Sequence, residues 1–537
     1  MFSALTEKVQ SLSSLYLVSI LFLFVTFCYV NTLRNGLFFD DEHFIYNNEA
    51  VKTFDLGGFF SHGLTSGAGR LSNYYRPLLF FGFGLEYQMF GNNGFIYHLD
   101  SYLIHFAGGV FLYLLIKKLF ENKLLAFLAT LLFLIHPVQT EAVAYASGRG
   151  DPLSFFFVMV TLYLSLYKGR WYRLSAILSF TAALLSKEIA LITPGLIFLV
   201  QLFSQQKLTF AAMKKSFVAT IPFAVITLIY FFSRITVLNF ANTLNFYNSA
   251  NIYSSNLFVR LVTFFHVMPD YLGLLFYPKT LFMERDLGIK IVTTPTIQGV
   301  LSILFYISLL IVGWLKRTQR PVLLFSILWI VVAFVPTSGI LPINGIFYEH
   351  FLYYPSVGFF LLFAYSFLAL VKKVPKIGKE VLGLVFIIGI IVLSLRTIAR
   401  NAQWHDPVTF YTQTLSHVRS PRAYNNLAMA YADQGKDKEA IVAYKKAIEL
   451  VDVYPEPHYN LANIYLAINE TANAEKEYKN ALKNDPSFYL SYSKLYQIYS
   501  EEKDQQGKMW VKEQLIILGK KNSGFLQLLQ QLEQTNR

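Results

Sequence analysis

Three consecutive acidic residues, Asp40, Asp41 and Glu42, follow the first long apolar run of the chain and are flanked by aromatic residues. Neighbouring carboxylates repel one another, and this repulsion raises the pKa of one of them toward neutrality. A carboxylate with such a pKa can accept a proton from a reacting hydroxyl at neutral pH. The cluster is therefore a candidate general base, although a solvated loop or a helix N-cap would also explain it.

Other polar residues recur close to the ends of apolar segments, where a charge is costly unless it is paired or functional. They are His98, His136, Glu141, Arg149, Asp151, Lys187, Glu188, Glu349 and Tyr353. Each has an ordinary structural explanation, because a lone histidine on an apolar helix usually packs against its neighbours and Lys187 can pair with Glu188. The orientation derived below places them on one side of the membrane with the acidic cluster, which predicts a shared site.

The composition predicts that most of the chain is embedded in a membrane. Of 537 residues, 54% are hydrophobic and only 15% are charged, against about a quarter in soluble domains. Lys and Arg exceed Asp and Glu by 46 to 33, but they interrupt apolar runs and do not form the dense basic patches of a nucleic-acid-binding protein. Cys28 is the single cysteine, which excludes a disulfide framework and a cysteine-based metal site.

Eleven apolar segments approach the roughly 17 to 25 residues that a membrane-spanning helix needs. They centre on 14–33, 97–116, 123–139, 152–167, 172–186, 188–203, 216–234, 297–315, 322–338, 350–371 and 380–396. A further stretch, 257–277, contains Arg260, His266, Pro269 and Asp270. These residues lie poorly in lipid, so we predict that this stretch is interfacial or re-entrant.

Lysine and arginine residues collect in alternate loops between the apolar segments, as at 117–118 and 372–373. Short cytoplasmic loops are enriched in these residues. The N-terminus is therefore predicted to be cytoplasmic and the long loops 34–96 and 235–296 extracytoplasmic. With eleven spans, the residues beyond the last span also lie outside, whereas an even number of spans would reverse their side.

A 34-residue repeat occupies the polar C-terminal part of the chain. Six residues of one unit recur 34 positions later: Leu427, Ala428, Tyr431, Ala440, Tyr444 and Ala447 become Leu461, Ala462, Tyr465, Ala474, Tyr478 and Ala481. This period and pattern are typical of tetratricopeptide repeats. We predict units at 421–454 and 455–488, a degenerate capping unit at 489–522, and a C-terminal helix. The repeats could bind a peptide on a concave face or act only as a spacer or assembly platform.

Six motifs, in order along the chain, resemble those of one family. They are Phe39-Asp40-Asp41-Glu42, Tyr75-Arg76-Pro77-Leu78, His136-Pro137 with Thr140-Glu141, Gly148-Arg149-Gly150-Asp151, Ser186-Lys187-Glu188 and Glu349-His350-Phe351-Leu352-Tyr353. With the terminal repeats, the chain resembles the transmembrane-and-tetratricopeptide-repeat O-mannosyltransferases and their bacterial relatives, which are GT-C glycosyltransferases. We therefore expect an all-α fold: a GT-C-like membrane domain over 1–400, a linker over 401–420 and a helical solenoid over 421–537.

The resemblance also implies a function. GT-C enzymes take a sugar from a polyprenyl-phosphate carrier, and the family transfers it with inversion to a hydroxyl, here expected to be a Ser or Thr of a protein. The expected place is the extracytoplasmic face of a bacterial inner membrane, with the repeats on the same side. The partners are then the lipid-linked donor and a protein or glycan acceptor, which the repeats could hold.

The chemistry of this transfer assigns roles to the motif residues. The acceptor hydroxyl must lose its proton to a carboxylate, for which Asp41 is the first candidate, with Asp40 and Glu42 tuning or replacing it. Cations stabilise the departing phosphate; the candidates are Arg149, Lys187 and Arg76. The predicted sugar and acceptor pocket consists of His98, His136, Glu141, Asp151, Glu188, Glu349 and Tyr353. No cofactor is required, although Asp40 and Asp41 could hold a divalent ion.

Two other functions fit the same sequence. A GT-C enzyme could modify a lipid or a surface glycan, with the repeats docking it to other enzymes. Alternatively, a catalytically inactive protein could use the acidic cluster only to cap a helix and serve as a membrane assembly scaffold. No feature of the sequence predicts nucleic-acid binding.

Overall fold

The computed structural model of the chain describes residues 9–63, 65–68, 74–206, 208–236, 251–343, 345–520, 522 and 524–535. Within these ranges every regular element is helical and no β-strand occurs, which confirms the all-α prediction. The chain divides into two compact units, Met1–Asp406 and Pro407–Arg537. The first contains the apolar helices and the second contains the repeats.

The first unit contains seventeen α-helices among its described residues. They are α1 Ser14–Tyr29, α2 Glu49–Lys52, α3 Leu56–Ser61, α4 Pro77–Phe90, α5 Gly94–Phe120, α6 Lys123–Ile135, α7 Thr140–Val143, α8 Gly150–Ser165, α9 Arg170–Ser186, α10 Thr193–Ser204, α11 Phe210–Thr236, α12 Ile252–Ser255, α13 Leu257–Phe276, α14 Ile297–Leu315, α15 Pro321–Phe334, α16 Pro355–Lys373 and α17 Lys376–Ala402. Short 3-10 turns connect several of them, including Ala146–Arg149 and Glu349–Leu352.

Seven of the described helices are long and apolar enough to cross a membrane: α1 with the turn that follows it, α5, α11, α13, α14, α16 and α17. The bent pair of α6 and Pro137–Val143 would make an eighth. The chain is therefore a multi-pass membrane protein. Four more predicted spans coincide with α8, α9, α10 and α15, which have 16, 17, 12 and 14 residues and are shorter than the roughly 20 residues needed to cross alone. Length and composition thus give seven or eight crossing helices, where the sequence predicts about eleven.

The segment 257–277, predicted to be interfacial or re-entrant, forms the continuous helix α13 and is one of the seven. Its Arg260 is buried and donates hydrogen bonds to the backbone carbonyls of Gly339 at 2.6 Å and Ser254 at 2.8 Å. Carbonyl partners reduce the cost of a charge next to apolar surroundings.

Small residues bring the central helices of the first unit close together. A Cβ at Gly109 of α5 would lie 2.6 Å from the Leu134 side chain of α6, and one at Gly108 would lie 2.9 Å from Phe155 of α8. Larger residues would push these helices apart. This close packing fixes the N-terminal ends of α5 and α8, beside which several of the predicted site residues lie.

The second unit is a series of helical pairs. Its helices are α18 Pro407–Leu415, α19 Pro421–Asp433, α20 Asp437–Leu450, α21 Pro455–Ala467, α22 Thr471–Asn484, α23 Tyr489–Glu501, α24 Gln505–Gly519 and α25 Gly524–Thr535. Helix α18 lies inside the predicted linker 401–420 and packs against α19. The pair α23 and α24 forms although its sequence retains only half of the repeat pattern. The recurring residues Ala440, Ala474 and Ala481 are fully buried, as the close crossing of paired helices requires.

Candidate active site

The acidic loop, Asp40–Glu42, precedes α2, and its middle carboxylate is locked in place. Asp41 is 1% exposed and accepts hydrogen bonds from the backbone N–H of Ser147 at 2.8 Å, from the Ser147 hydroxyl and from the backbone N–H of Phe38 at 3.3 Å. Burial raises the pKa of the Asp41 carboxyl to about 7, although the hydrogen bonds from Ser147 oppose this shift. Asp41 therefore ties the acidic loop to the turn Ala146–Arg149.

Asp40 is half-buried and lies beside aromatic side chains. Its backbone N–H donates a hydrogen bond to the Tyr145 hydroxyl at 3.1 Å. Burial, followed by the charges of Asp40 and Asp41, raises the pKa of Tyr145 well above its usual range. The Tyr145 ring stacks on Trp404 with 5.1 Å between the ring centroids. Asp40 is thus a carboxylate at the edge of an aromatic wall, where it could contact a bound hydroxyl.

Tyr74 connects the acidic loop with a group of basic residues. The Arg76 guanidinium lies 4.8 Å from the centroid of the Tyr74 ring. Burial raises the pKa of Tyr74, and the charges of Arg76, Glu188 and Asp40 also act on this phenol. Tyr74 therefore lies within electrostatic reach of both the acidic loop and the basic residues.

The basic group consists of Lys187, Arg76 and Arg234, which share two carboxylates. Lys187 Nζ lies 2.6 Å from Asp151 Oδ2. Arg76 Nε lies 3.0 Å from Glu188 Oε2, and Arg234 Nη1 lies 3.4 Å from Glu188 Oε1. The side chains of Lys187 and Arg76 are 16% and 12% exposed. Three cations facing two carboxylates leave a positive charge that an anionic ligand could reach.

An apolar cavity of about 360 Å³ lies beside the basic group. Its lining includes Phe60, Tyr75, Leu184, Ile226, Ile229 and Tyr230. Two of these residues also contact the basic group: the Tyr75 backbone N–H donates to Glu188 at 3.1 Å, and the Tyr230 hydroxyl accepts from Arg234 at 3.3 Å. A hydrocarbon chain in this cavity would bring an attached anion to the basic group.

Arg149, predicted to bind the donor phosphate, occupies a different environment. Its side chain is 3% exposed and donates hydrogen bonds to Glu86 at 2.6 Å, to the Tyr97 carbonyl at 2.6 Å and to Ser101 at 3.1 Å. Burial raises the pKa of Glu86 to about 7, and Arg149 opposes this shift. The structure thus gives Arg149 a set of protein partners that hold α4, α5 and the turn before α8 together.

A second group of charged residues surrounds the turn Glu349–Leu352. Glu141 accepts a hydrogen bond from the backbone N–H of His350 at 3.1 Å and lies 2.8 Å from its Nδ1. Glu349 accepts hydrogen bonds from Arg285 at 3.3 Å and Arg400 at 3.4 Å. Burial raises the pKa of Glu349, and the two arginines oppose the shift. The predicted pocket residues Glu141 and Glu349 therefore lie in one charged cluster.

The remaining predicted pocket residues are packed in the interior of the first unit. Tyr353 places its hydroxyl 2.6 Å from His105 Nδ1, and His136 Nε2 lies 3.2 Å from the Leu275 carbonyl. His98 is 1% exposed. These positions agree with the ordinary packing role that a histidine on an apolar helix has.

Several residues of the site carry no sequence motif. Arg400 links the charged cluster around the turn Glu349–Leu352 with the aromatic side chains beside the acidic loop. It pairs with Glu349, its guanidinium lies 5.8 Å from the centroid of the Trp404 ring, and Trp404 stacks on Tyr145. Arg234 and Arg400 stand near the ends of long apolar helices, where an arginine is costly, and this signal could have identified them. Glu86 and Trp404 give no comparable signal, because only folding shows what they contact.

Within the described ranges, no three His, Cys, Asp or Glu side chains are arranged to hold a metal ion. The divalent ion predicted at the acidic loop would have the two aspartates as its ligands. Both oxygens of Asp41 already accept hydrogen bonds from protein donors. A metal at this place stays a prediction.

The second unit matches two family models. One, described as TPR repeat, covers residues 428–469, and the other, described as Tetratricopeptide repeat, covers residues 455–488. The prediction of tetratricopeptide repeats is therefore confirmed.

Most of the chain is similar to curated protein O-mannosyl-transferases. It is 25% identical over 497 residues to protein O-mannosyl-transferase TMTC3 of Homo sapiens, covering 84% of this chain and 53% of that protein. It is 28% identical over 439 residues to protein O-mannosyl-transferase F38B6.6 of Caenorhabditis elegans, covering 80% of this chain and 62% of that protein. The resemblance drawn from the motifs is confirmed, and the chain spans less than two thirds of the length of these relatives.

Among solved structures, the chain is similar to ArnT from Cupriavidus metallidurans, which was solved bound to undecaprenyl phosphate. The TM-score is 0.44 at 13% sequence identity, covering 91% of this chain and 79% of that chain.

Proposed function

We propose that this chain is a membrane glycosyltransferase that moves a sugar from a polyprenyl-phosphate carrier to the hydroxyl of a Ser or Thr in a protein. Its curated relatives are named protein O-mannosyl-transferases, so mannose is the first sugar to test. The observation that carries the proposal is the adjacency of three features: the half-buried Asp40, the basic group and the apolar cavity of about 360 Å³.

The cavity and the basic group fit a lipid-linked donor. A polyprenyl chain in the cavity would place its phosphate against Lys187 and Arg76. The phosphate gains negative charge as its bond to the sugar breaks, and cations fixed at that position stabilise the transition state. Because a phosphate is a good leaving group, no general acid is needed.

The acidic loop fits the acceptor side of the reaction. The acceptor hydroxyl attacks the anomeric carbon on the face opposite to the phosphate, the bond from this carbon to the phosphate oxygen breaks, and the anomeric configuration inverts. The hydroxyl proton passes to a carboxylate. We assign this role to Asp40, because its side chain is half-buried, whereas Asp41 is 1% exposed. Asp41 then positions the acidic loop, which reverses the order of the two aspartates in the sequence-based prediction.

The remaining parts of the proposal concern the sugar and the location. The charged cluster of Glu141 and Glu349 with its arginines supplies groups that can hydrogen-bond sugar hydroxyls, and Trp404 joins it to the acidic loop. Loop charge supports an extracytoplasmic site, and the resemblance to the family's bacterial relatives implies a bacterial inner membrane. The tetratricopeptide repeats would hold the acceptor or a partner protein.

The test uses the purified full chain in lipid nanodiscs with a panel of polyprenyl-phosphate sugars and a Ser/Thr-rich peptide. We expect mass spectrometry to detect a glycosylated peptide and NMR to show an inverted anomer. Asp40→Asn should abolish transfer. The matched control is Glu49→Gln, because Glu49 is a surface residue of the same outer loop that pairs with Lys52.

Two outcomes would contradict the proposal. Absence of transfer to any peptide, with transfer to a glycan or lipid acceptor, would favour the glycan-modifying alternative. Unchanged transfer by a folded Asp40→Asn variant would exclude Asp40 as the base.

A further inference from the structure

A second cavity, of about 700 Å³, lies where α5, α8 and α10 end. Helices α5 and α8 begin beside the candidate site, at Tyr97 and Asp151, and run to this cavity. Since α5 has 27 residues, it is about 40 Å long. The cavity therefore lies at the end of the first unit opposite to the acidic loop, and no step of the proposed reaction uses it.

We call this second cavity the lysine cavity, because its lining contains Lys117, Lys118 and Lys123. Lys117 Nζ donates to the Ser14 hydroxyl at 2.7 Å, and Lys123 Nζ donates to the backbone carbonyls of Gln10 at 3.2 Å and Leu12 at 3.1 Å. Hydroxyl and carbonyl groups fix the positions of the ammonium groups but do not neutralise them.

Lys118 has an aromatic partner, with its Nζ 5.1 Å from the centroid of the Tyr167 ring. Glu121 is the one carboxylate in the lining, and none of the three lysines forms an ion pair with a carboxylate of the described residues. Positive charge therefore exceeds negative charge in this cavity.

The ordinary explanation of such lysines covers only part of the observation. Lysines in the last turn of a helix complement the helix dipole, which accounts for Lys117 and Lys118 at the end of α5. The helix dipole does not account for Lys123, which is the first residue of α6, because a cation at a helix N-terminus is unfavourable. The enrichment of lysine in short cytoplasmic loops accounts for all three charges. Neither rule explains why the three lysines line a cavity.

Aromatic residues near the cavity indicate that it lies at the level of the membrane interface. Trp171 is 75% exposed, and the Tyr172 ring stacks on Tyr167 with 5.0 Å between the centroids. Exposed Trp and Tyr residues lie at the level of lipid headgroups. Leu114 and Leu166 form an apolar part of the cavity wall, so the lining combines cationic and apolar groups.

We infer that the lysine cavity binds one anionic phospholipid. The phosphate of the headgroup contacts the three ammonium groups, and an acyl chain extends along Leu114 and Leu166. Basic pockets between membrane helices bind anionic headgroups in this way. A free phosphate shares the anionic chemistry, but it would leave the apolar wall exposed to water.

The test is native mass spectrometry of the delipidated full chain, titrated with phosphatidylglycerol or with phosphatidylcholine of the same acyl chains. We expect one phosphatidylglycerol to bind about tenfold tighter than phosphatidylcholine, and Lys118→Gln/Lys123→Gln to remove this preference. Lys214→Gln/Lys215→Gln is the matched control, because it removes the same charge from exposed positions in the first turns of α11 and should change the preference by less than about twofold.

Three results would overturn the inference. The first is equal affinity for the two lipids. The second is an equal loss of phosphatidylglycerol preference in the Lys118→Gln/Lys123→Gln variant and in its control. The third is displacement of the bound phosphatidylglycerol by millimolar inorganic phosphate. Thermal unfolding checks that the double variant is folded. If it is not, Lys118→Gln alone replaces it, since the described contact of Lys118 is with the half-buried ring of Tyr167. An unchanged lipid preference in that variant contradicts the inference.

Discussion

Two ion pairs of the first unit each contain a cation that the sequence predicts to bind the donor phosphate, but they differ in the structure. Lys187 pairs with Asp151 next to the apolar cavity, and Arg149 pairs with Glu86 between α4, α5 and α8, each at 2.6 Å. The Lys187 side chain is 16% exposed, whereas that of Arg149 is 3% exposed and has two further protein acceptors. A cation can bind a ligand only if some of its hydrogen-bonding capacity is free and reachable. We therefore assign the donor phosphate to Lys187 and a structural role to Arg149.

The largest expected effect follows from breaking the buried pair. Arg149→Gln leaves Glu86 buried without its cation, and removing one partner of a buried pair costs about 3–5 kcal/mol. Chemical unfolding of the detergent-solubilised protein measures this loss. Arg149→Gln/Glu86→Gln should recover most of the stability and keep transfer within about tenfold of the unmodified chain. A stable double variant without transfer would show that Arg149 contacts the donor.

Neutralising the pair beside the cavity should affect the reaction and not the fold. Lys187→Gln/Asp151→Asn preserves a hydrogen-bonded pair, so the unfolding transition should stay close to that of the unmodified chain. Loss of one cation at the departing phosphate should lower the transfer rate by about a hundredfold, or about 3 kcal/mol. Steady-state kinetics with the lipid-linked donor measures this. Near-normal turnover would remove the distinction between the two pairs.

Asp41 differs from Asp151 and Glu86, because it is a buried carboxyl whose hydrogen-bond donors are neutral groups and not cations. The pKa of the Asp41 carboxyl is raised from the usual 3.8 to about 7. Between these two pH values the carboxyl keeps its proton in the folded state and has lost it in the unfolded state. Stability should therefore fall as the pH rises through the window from 3.8 to about 7. Asp41→Asn removes this dependence, and thermal unfolding at pH 5 and pH 8 should favour the variant more at the higher pH. Parallel pH profiles of the two proteins would contradict the prediction.

The smallest expected effect concerns an ion-pair network in the repeats that is centred on the buried His458. His458 Nδ1 lies 2.6 Å from Glu477, and its Nε2 lies 2.8 Å from Asp452, whose side chain is 55% exposed. Burial opposes the charged ring, but the two carboxylates raise the pKa of His458 overall. The imidazolium stabilises α21 and α22 at low pH, and this contribution is lost as the pH rises through the raised pKa.

His458→Gln tests this network. We expect a loss of about 1–2 kcal/mol at pH 5.5 and almost none at pH 9. Hydrogen exchange of 455–484 within the full chain provides the measurement. The control is Lys479→Gln, whose partner Glu475 is partly exposed, and it should change little at either pH. A loss that is independent of pH would assign His458 to packing alone.

Much of the architecture follows from sequence periodicity. Each of the eleven predicted apolar segments overlaps one α-helix, and the recurrence of Ala440 as Ala474 located the repeats. The number of crossings and the position of 257–277 did not follow, because hydropathy alone does not show where a helix begins, breaks and ends. In the sequence Arg260 argues against a membrane-spanning helix, because a charge is costly in lipid. In the structure it is buried and donates hydrogen bonds to the carbonyls of Gly339 and Ser254.

The sequence by itself determined which residues are available for chemistry: a run of carboxylates, scattered cations at the ends of apolar helices, and a repeat module. It could not rank them, because Arg149 and Lys187 both lie at ends of apolar helices and Asp40 and Asp41 are neighbours. Only the tertiary structure decided that Asp41 is enclosed by Ser147 while Asp40 is half-buried. The physical reason is that the reactivity of a charge depends on its solvation and its partners, and these come from segments distant in the chain.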